Sequence, residues 1–371
     1  MVQQRCLLVF VFSLSLLLAG CGVNGDSTST FAVNNSPTRA SSVAAATPPL
    51  RADPINSPET LTPCAYPARL AGGQSPTFCV LGDVVAGSKV TLANLEDMPA
   101  ITVKASSPSA RGSVIHTYTG VLLMNVLSTV GLSSAAGRTA LGASVSVTSS
   151  DGHWVSFSLA ELEPDLGGTS ALLAYREDGH LLGSDGMAKL VVPSDKQAGR
   201  WSDNVAEVYV YTYARSLGHL ANPAAQPQPP NSLRITGLGP SSLGETLPKL
   251  EAMPATSIMA KGPSAHDSET HRYTGVPLSD LLQLQPRAEG ERLGMSVSVL
   301  PNNGEWVTFS LAEISPEMGK TTALLAYKED GHLLGANGFA ELVVPSDMQT
   351  SRWVDNVVEV YVYYPFPPVS G

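Results

Sequence analysis

The sequence predicts an α+β fold with mixed sheets, and it predicts that this fold occurs twice in tandem. The first observation is a series of short apolar strands between turn residues, with a few short helices that do not alternate strictly with the strands. The second is that the stretch 151–211 returns 152 positions later, so that Trp154 and Trp306 are equivalent. A period this long exceeds the roughly 20–50 residues of solenoid repeats, and it therefore indicates a duplicated domain.

In the first half of the repeat, apolar runs predict strands at 77–81, 101–104 and 114–117. Thr91 is a candidate N-cap for a short helix ending near Met98, because a Thr hydroxyl accepts a hydrogen bond from a free N–H at a helix start. The segment 106–112 contains Ser, Pro, Ala and Gly, which favour a turn-rich loop. Gly120 then precedes a Leu-rich helix at 122–130.

In the second half, a strand at 144–148 alternates between two faces. Ser150-Asp151-Gly152 supplies a tight turn into the next strand, which predicts a hairpin. A helical turn is expected at 159–162, and Glu177-Asp178-Gly179 is expected to be a turn. Further strands are predicted at 154–158, 172–175, 190–192 and 208–211.

The N-terminal residues 1–21 predict a lipid anchor. Arg5 precedes an apolar run over 6–18, and Leu18-Ala19-Gly20-Cys21 follows it. This arrangement resembles the signal of bacterial lipoproteins, whose cleavage leaves a diacylated Cys21 at the new N-terminus. The alternative, a transmembrane helix, needs about 20 apolar residues, more than this run supplies. We expect a protein of the bacterial cell envelope held in the membrane by its lipid. Because Gly22 follows the cysteine, that membrane would be the outer one in a Gram-negative cell.

Composition divides the rest of the chain. Residues 22–63 are rich in Ser, Thr, Ala and Pro and predict a disordered tether. Residues 215–231 carry several Pro and Gln and predict a linker. The first domain is therefore expected at 64–214 and the second at 232–365.

Two of the four cysteines, Cys64 and Cys79, remain after signal cleavage and lipidation. Disulfides form readily outside the cytoplasm, so we expect these two to pair and to join the end of the tether to the first strand. The alternative is a pair of free or metal-binding thiols. Two cysteines without a nearby His make a poor zinc site, and no metal site is predicted.

Charge and motifs exclude several classes of function. The net charge is −10 and no Lys/Arg cluster occurs, whereas a nucleic-acid partner requires a basic face. The chain has neither a Gly-rich phosphate loop nor a Gly-x-Ser-x-Gly nucleophile elbow after a strand. No catalytic residue is predicted from these patterns.

Several motifs recur in register in both copies. They are Tyr-Thr-Gly-Val at 118–121 and 273–276, Leu-Leu-Ala-Tyr at 172–175 and 324–327, Leu-Val-Val-Pro at 190–193 and 342–345, and Arg-Trp at 200–201 and 352–353. Their order and spacing resemble the molybdopterin-binding domain of the sulfite oxidase superfamily in its compact form. The resemblance covers 75–213 and 232–364, and it implies two tandem sulfite-oxidase-like domains.

Catalytic members of that superfamily hold molybdenum through one cysteine thiolate, in the loop before the Tyr-Thr-Gly-Val motif. A soft thiolate suits such a metal. The corresponding loops, 104–115 and 259–269, contain no cysteine, and none occurs after Cys79. Proteins of this kind that are loaded with cofactor generally carry a twin-arginine signal, whereas this signal has Arg5 alone. We therefore expect no cofactor, and molybdopterin remains the alternative.

The resemblance also implies candidate ligand-binding residues. In the family, a basic residue before the Trp lies near the pterin phosphate, and an Arg can bind a phosphate or carboxylate group. The implied residues are Arg200, Trp201, Arg352 and Trp353, and less directly Thr119 and Thr274. The alternative is that each Arg stacks on its neighbour or pairs with Asp203 or Asp355 at the surface. A second set of candidate ligand contacts consists of His116, His180, His271 and His332, whose alternative is a strand-edge or turn histidine.

These observations predict a membrane-anchored envelope lipoprotein whose duplicated domains form a non-catalytic ligand-binding or interaction module. Its partner would be a small anionic ligand or another envelope protein. One alternative is a molybdopterin-dependent oxidoreductase of the sulfite oxidase type. The other is a structural spacer of the cell envelope.

Overall fold

A computed structural model describes residues 61–64, 73–109, 112–133, 140–212, 231–237, 243–261, 269–282, 289–302, 306–335, 338–347 and 350–365. Within the chain, residues 54–371 form one compact unit that contains both copies of the repeat. The predicted signal with Cys21, nearly all of the tether and most of the linker lie outside the described residues. The bounds of the two predicted domains stay predictions.

The first copy contributes eleven strands and three α-helices among the described residues. In chain order they are β1 Thr62–Pro63, β2 Phe78–Gly82, β3 Ser88–Val90, α1 Leu92–Asp97, β4 Ala100–Ser109, β5 Gly112–Leu122, α2 Leu123–Val130, β6 Ala143–Ser149, β7 Trp154–Ser158, α3 Leu159–Leu162, β8 Leu172–Glu177, β9 His180–Leu181, β10 Lys189–Val191 and β11 Val205–Thr212.

Within the described residues, the second copy repeats this order with one additional short helix, α6, and without a counterpart of β1. Its described elements are β12 Ser232–Thr236, β13 Leu243–Thr246, α4 Leu247–Glu251, β14 Thr256–Lys261, β15 Thr270–Pro277, α5 Leu278–Leu282, α6 Glu289–Leu293, β16 Ser296–Pro301, β17 Val307–Ser310, α7 Leu311–Ile314, β18 Leu324–Glu329, β19 His332–Leu333, β20 Glu341–Val343 and β21 Val357–Tyr363.

Each copy builds two sheets. The first has the order β1-β3-β2-β11-β6-β7, and it is mixed because β2 and β11 run parallel while its other pairs are antiparallel. The second is antiparallel, in the order β10-β8-β5-β4 with β9 on β8. The corresponding sheets of the second copy are β13-β12-β21-β16-β17 and β14-β15-β18, with β19 and β20 on β18. The predicted α+β class with mixed sheets is confirmed.

The apolar faces of the two sheets enclose the core of each copy. In the first copy, Val80, Val145 and Val208 of the mixed sheet pack into one cluster with Val121 and Leu173 of the antiparallel sheet. Burial of such side chains from water is the main contribution to the stability of the fold. The Leu-rich helix α2 closes this core, as the sequence predicts.

The glycine of the Tyr-Thr-Gly-Val motif has a structural role. The pairing between β5 and β8 shifts register between Thr119 and Gly120. At this bulge the backbone of Leu173 and Ala174 approaches so closely that a Cβ on Gly120 would overlap it. Gly275 meets the backbone of β18 in the same way. The motif therefore marks a bulge at which the neighbouring backbone leaves space for glycine alone.

The prediction of a turn-rich loop at 106–112 is wrong. Strand β4 continues to Ser109 and β5 begins at Gly112, in one antiparallel register that pairs Pro108 with Ser113. Pro lacks the N–H that a central strand must donate, but β4 lies at the edge of its sheet. Because the outer side of an edge strand needs no partner, the ladder extends through a segment whose composition favours a turn.

The Cys64–Cys79 disulfide is present, with 5.9 Å between the two Cα atoms. Cys79 lies in β2, and the N–H of Cys64 donates to the carbonyl oxygen of Gly87 over 3.0 Å. The bridge therefore joins the end of β1 to β2 within the mixed sheet, in agreement with the predicted pairing.

Candidate functional site

The two copies meet at the short helices α3 and α7. Ser158 caps α3 by accepting a hydrogen bond from the N–H of Glu161 over 2.9 Å, and Ser310 caps α7 in the same way from Glu313 over 3.0 Å. Such caps satisfy N–H groups that a helix start leaves free. Each Ser hydroxyl also donates across the interface, from Ser158 to Glu313 over 2.8 Å and from Ser310 to Glu161 over 3.0 Å.

Both arginines of the Arg-Trp motifs lie in this interface. Arg200 donates through Nε and Nη2 to Asp195 over 2.8 and 2.7 Å, and its Nη2 lies 2.7 Å from Glu161. Arg352 likewise donates to Asp347 over 2.7 and 2.6 Å, and its Nη1 lies 2.6 Å from Glu313. Only 1% of Arg200 and none of Arg352 is exposed. Two-pronged pairs of this kind are the strongest that Arg forms with carboxylates.

Each guanidinium also lies over an aromatic ring of its own copy. The central carbon of Arg200 is 4.4 Å from the centre of the Phe157 ring, and that of Arg352 is 4.5 Å from the centre of the Phe309 ring. Cations are attracted to aromatic faces at such distances. In each copy a helix cap, an arginine and two acids thus come together between the copies. We call this group the interface cluster. It consists of Ser158, Glu161, Asp195 and Arg200 with their counterparts Ser310, Glu313, Asp347 and Arg352.

The contacts between the copies are reciprocal. Ser144 bonds to its own counterpart Ser296 over 3.1 Å, and the rings of Tyr211 and its counterpart Tyr363 lie 5.8 Å apart. A residue meets its own copy only near a twofold axis, the arrangement of a symmetric dimer interface. The duplication has therefore reproduced such an interface within one chain.

Two glycines allow this close approach. A Cβ on Gly142 would overlap the indole of Trp306, and a Cβ on Gly294 would overlap the indole of Trp154. The same Gly–Trp contact is thus made twice, in opposite directions. Any larger side chain at either glycine would push the copies apart.

The interface cluster contains two guanidinium groups and four carboxylates. Burial, reinforced by the charge of Glu161, raises the pKa of Glu313 to about 7, although Arg352 opposes this shift. Burial also raises the pKa of Asp195, against the lowering by Arg200. A cavity of about 140 Å³ adjoins these groups. The excess of buried acids favours a proton on Glu313 near neutral pH.

The tryptophans occupy structural positions. Trp201 donates through Nε1 to the carbonyl oxygen of Val192 over 3.2 Å, and its ring meets Tyr118 edge-on at 5.6 Å. Trp353 makes the equivalent contacts with Val344 over 3.1 Å and with Tyr273 at 5.4 Å. Both indoles are partly buried against the core.

The threonines of the motif lie elsewhere. Thr119 hydrogen-bonds to Thr102 on the neighbouring strand over 3.0 Å, and Thr274 bonds to Ser257 over 2.8 Å. Successive side chains of a strand face opposite ways, so Thr119 faces away from buried Tyr118 and its partner Trp201. The structure therefore does not gather the six predicted ligand-binding residues into one cleft.

The arginines find partners that neither interpretation of the sequence included. The predicted alternative was a surface pair with Asp203 or Asp355, but Asp203 pairs with Lys189 over 2.9 Å instead. The acids that hold the arginines lie five residues before them. These acids, the two Ser caps and both interface glutamates were not predicted from the sequence.

The motif histidines are held by turn carboxylates. His116 lies 2.7 Å from Asp178 through Nδ1, and His271 lies 2.7 Å from Asp330. The N–H of Thr117 also donates to Asp178, and this bond, followed by the one from His116, lowers the pKa of Asp178. These contacts favour the alternative to ligand binding, in which the two histidines have a structural role against a turn. His180 and His332 are exposed residues of the small strands β9 and β19.

The residues present do not fit a molybdenum centre of the sulfite oxidase type. Cys64 and Cys79 are joined to each other, and a disulfide sulfur is not a thiolate ligand. The guanidinium groups that would face a pterin phosphate are buried against carboxylates. Within the described part of the chain, no group of three or more His, Cys, Asp and Glu has the arrangement of a metal site.

Comparison with known proteins gives little further guidance. No protein-family model matches the chain, and no curated protein sequence matches it. Among solved structures, the sulfane dehydrogenase SoxCD from Paracoccus pantotrophus is similar, with 14% identity over 77% of this chain and 79% of that one, and a TM-score of 0.31. We draw nothing on function from a likeness of this size.

None of the helices in the described ranges combines the length and apolar composition of a membrane span.

Proposed function

We propose that this chain is a lipoprotein of the bacterial cell envelope, anchored through Cys21, whose duplicated folded part is a non-catalytic binding module. We further propose that the fold derives from the molybdopterin-binding domain of the sulfite oxidase superfamily. The recurring motifs support this origin. The resemblance extends to the fold and not to the cofactor.

One observation carries the non-catalytic assignment. Arg200 and Arg352 are the residues that the resemblance places at a pterin phosphate, and each is held by two carboxylates at almost zero exposure. Releasing a buried arginine to a ligand would leave those carboxylates without their cation, which costs several kcal/mol. The arginines therefore serve the interface, and a ligand or partner must bind elsewhere.

The test of the non-catalytic role is elemental analysis for molybdenum and tungsten, together with a pterin fluorescence assay. The protein is purified with its lipid from its native host. We expect both metals and the pterin to be far below one equivalent per chain. Near-stoichiometric metal together with redox turnover would overturn the proposal, and the oxidoreductase alternative would replace it.

The test of the anchor compares two cysteine substitutions. Cys21→Ser should abolish incorporation of labelled palmitate and release the protein from the membrane fraction, because the lipid supplies the membrane affinity. Cys6→Ser, within the apolar run of the signal, is the matched control and should leave both unchanged. Membrane association that survives Cys21→Ser would contradict the lipid anchor.

A further inference from the structure

A second and larger cavity, of about 340 Å³, opens between the copies. Its apolar part is formed by Leu293, Leu311 and Met318 of the second copy, all less than 9% exposed. Arg292 and Glu317 are among its polar lining. The volume falls at the lower end of the roughly 300–1,000 Å³ of small-molecule pockets.

The first copy closes one side of this pocket. The N–H of Lys196 donates to the carbonyl oxygen of Met318 over 3.0 Å, and its Nζ donates to that of Pro316 over 2.7 Å. Gln197, the next residue, lines the pocket. Gly199 lies against the ends of the Met318 and Leu293 side chains, so that a Cβ there would be 2.8 Å from the methyl group of Met318. The pocket therefore has a fixed wall that depends on the two copies being packed together.

Arg292 is the positively charged residue of the pocket lining. Its side chain is half-buried, and no carboxylate within the described ranges lies in ion-pair distance of its guanidinium. This contrasts with Arg200 and Arg352, whose guanidinium groups are fully engaged. A cation held at the edge of an apolar pocket without an acid is available to an anionic group of a ligand.

Glu317 supplies the opposite charge in the same pocket. Ser315 donates to its carboxylate over 2.7 Å, and this bond is the main cause that lowers its pKa. The charges of Arg292 and Lys196 lower the pKa further. Glu317 is therefore ionised at neutral pH, and it lies near Arg292 without bonding to it.

The opposite charges of Arg292 and Glu317 determine which charge a ligand of the pocket carries. A simple anion drawn to Arg292 would meet the charge of Glu317, and a simple cation drawn to Glu317 would meet Arg292 and Lys196. A molecule that carries both charges satisfies both sides. The apolar floor of Leu293, Leu311 and Met318 then accommodates an aliphatic body.

The duplication provides a comparison within the chain. At the positions 152 residues earlier, Arg292 corresponds to Ala140, Ser315 to Glu163 and Glu317 to Asp165. At these equivalent positions the first copy therefore has two acids, and an alanine stands where the second copy has Arg292. Burial and the charge of Asp165 raise the pKa of Glu163, as two neighbouring acids require. The pairing of Arg292 with Glu317 is not a by-product of the repeat, because the equivalent positions 140 and 165 carry Ala and Asp.

We propose that this pocket binds a small zwitterion with an aliphatic body, namely an apolar α-amino acid, with its carboxylate on Arg292 and its ammonium group on Glu317. This inference rests on the proposed function, since it gives the binding module a ligand class. It does not involve the interface cluster.

The experiment is calorimetric titration of the full lipidated chain in detergent with leucine. Three further probes are glycine, which lacks the side chain, leucinamide, which lacks the carboxylate, and 4-methylpentanoate, which lacks the ammonium group. We expect saturable binding of leucine and weaker binding of all three. Arg292→Ala should weaken leucine binding by at least about ten-fold, because a charge-assisted hydrogen bond is lost. Glu317→Gln should also weaken it.

The matched control is Arg272→Ala, which removes an exposed arginine outside the pocket lining. It should leave leucine binding unchanged, and both arginine variants should keep the wild-type melting temperature. Absence of leucine binding to the wild type would overturn the ligand class. Binding that Arg292→Ala leaves intact would overturn the location. Neither outcome alters the metal and pterin result, so failure of this inference is distinguishable from failure of the proposed function.

Discussion

At the scale of single residues, the buried arginines are the most demanding feature of the molecule. Arg352 is unexposed, and it satisfies Asp347 and Glu313 together. Burying a charge is costly, and the cost is offset only while every partner stays in place. Removing the arginine should therefore lower the free energy of unfolding by more than the loss of its own contacts, because it leaves two acids buried without a cation.

We predict that Arg352→Ala lowers the free energy of unfolding by about 3–5 kcal/mol. Denaturant titration followed by tryptophan fluorescence measures this change. Arg176→Ala is the control, because Arg176 and its partner Glu96 are both more than a third exposed. Exposed pairs contribute about 0–1 kcal/mol. Equal losses in the two variants would contradict the structural role of the interface cluster.

Glu313 predicts a pH dependence. Its folded-state pKa of about 7 lies above the ordinary value of 4.5, so the folded state binds this proton more tightly than the unfolded state. The resulting stabilisation is complete below about pH 4.5 and is lost as the pH rises to about 7. Over that window, stability from this group falls by up to about 1.4 kcal/mol per pH unit.

Glu313→Gln tests this dependence, because glutamine mimics the neutral acid and can still accept from Ser158. We expect the variant to match the wild type near pH 4 and to be the more stable protein near pH 8. Unfolding titrations at several pH values between 4 and 8 give the comparison. Parallel profiles for the two proteins would show that Glu313 does not change its protonation in this range.

At the scale of elements, the short helices α3 and α7 join the copies through their caps. Ser158 accepts from the N–H of Glu161 and donates to Glu313, so one hydroxyl serves its own helix and the other copy. We predict that Ser158→Ala costs about 2–4 kcal/mol, since it removes a cap and a bond to a buried acid. Chemical denaturation measures the loss.

Thr91 at α1 provides the matched control for that substitution. Its hydroxyl accepts from the N–H of Asn94 over 3.2 Å, and among the described residues α1 makes no comparable bond to the other copy. Thr91→Ala should therefore cost only about 1 kcal/mol, the usual value of a cap. If Ser158→Ala were as mild as Thr91→Ala, the bond across the interface would contribute nothing.

Local signals were sufficient to predict most elements. The Thr91 cap, the Leu-rich helix α2 and the hairpin after Ser150-Asp151-Gly152 follow from side-chain chemistry within a few residues of each other. The β4–β5 hairpin did not follow, because its length depends on β4 being an edge strand. Edge position is a property of the sheet and leaves no mark in the segment itself.

The candidate site could be predicted only in part, for a different reason. The Arg-Trp motifs identified Arg200 and Arg352, but Glu161 binds Arg200 from a distant element of the same copy, and the hydroxyl of Ser310 reaches it from the other copy. A glutamate in a helix of four buried residues is the one signal that could have indicated this interface. Because the duplication preserved many residues in both copies, identity between the copies did not distinguish this glutamate from residues that have no role in the interface.

At the scale of the whole molecule, the copies form one body. Leu293, Ala312 and Met318 of the second copy belong to the hydrophobic cluster of the first. Apolar burial and the reciprocal hydrogen bonds of Ser158 and Ser310 together cover an interface that neither copy could expose to water without loss. The chain between the copies is therefore not needed to keep them associated.

We predict that cutting this connection leaves the molecule intact. A site for a sequence-specific protease, inserted between Gln226 and Pro227, allows the cut to be made after folding. The two fragments should co-elute on size exclusion and unfold in one transition, because the interface remains buried. A second variant that also carries Gly142→Leu and Gly294→Leu should separate into two fragments after cleavage, since each new side chain overlaps an indole of the other copy. Separation of the fragments without those substitutions would show that the linker, rather than the interface, holds the copies together.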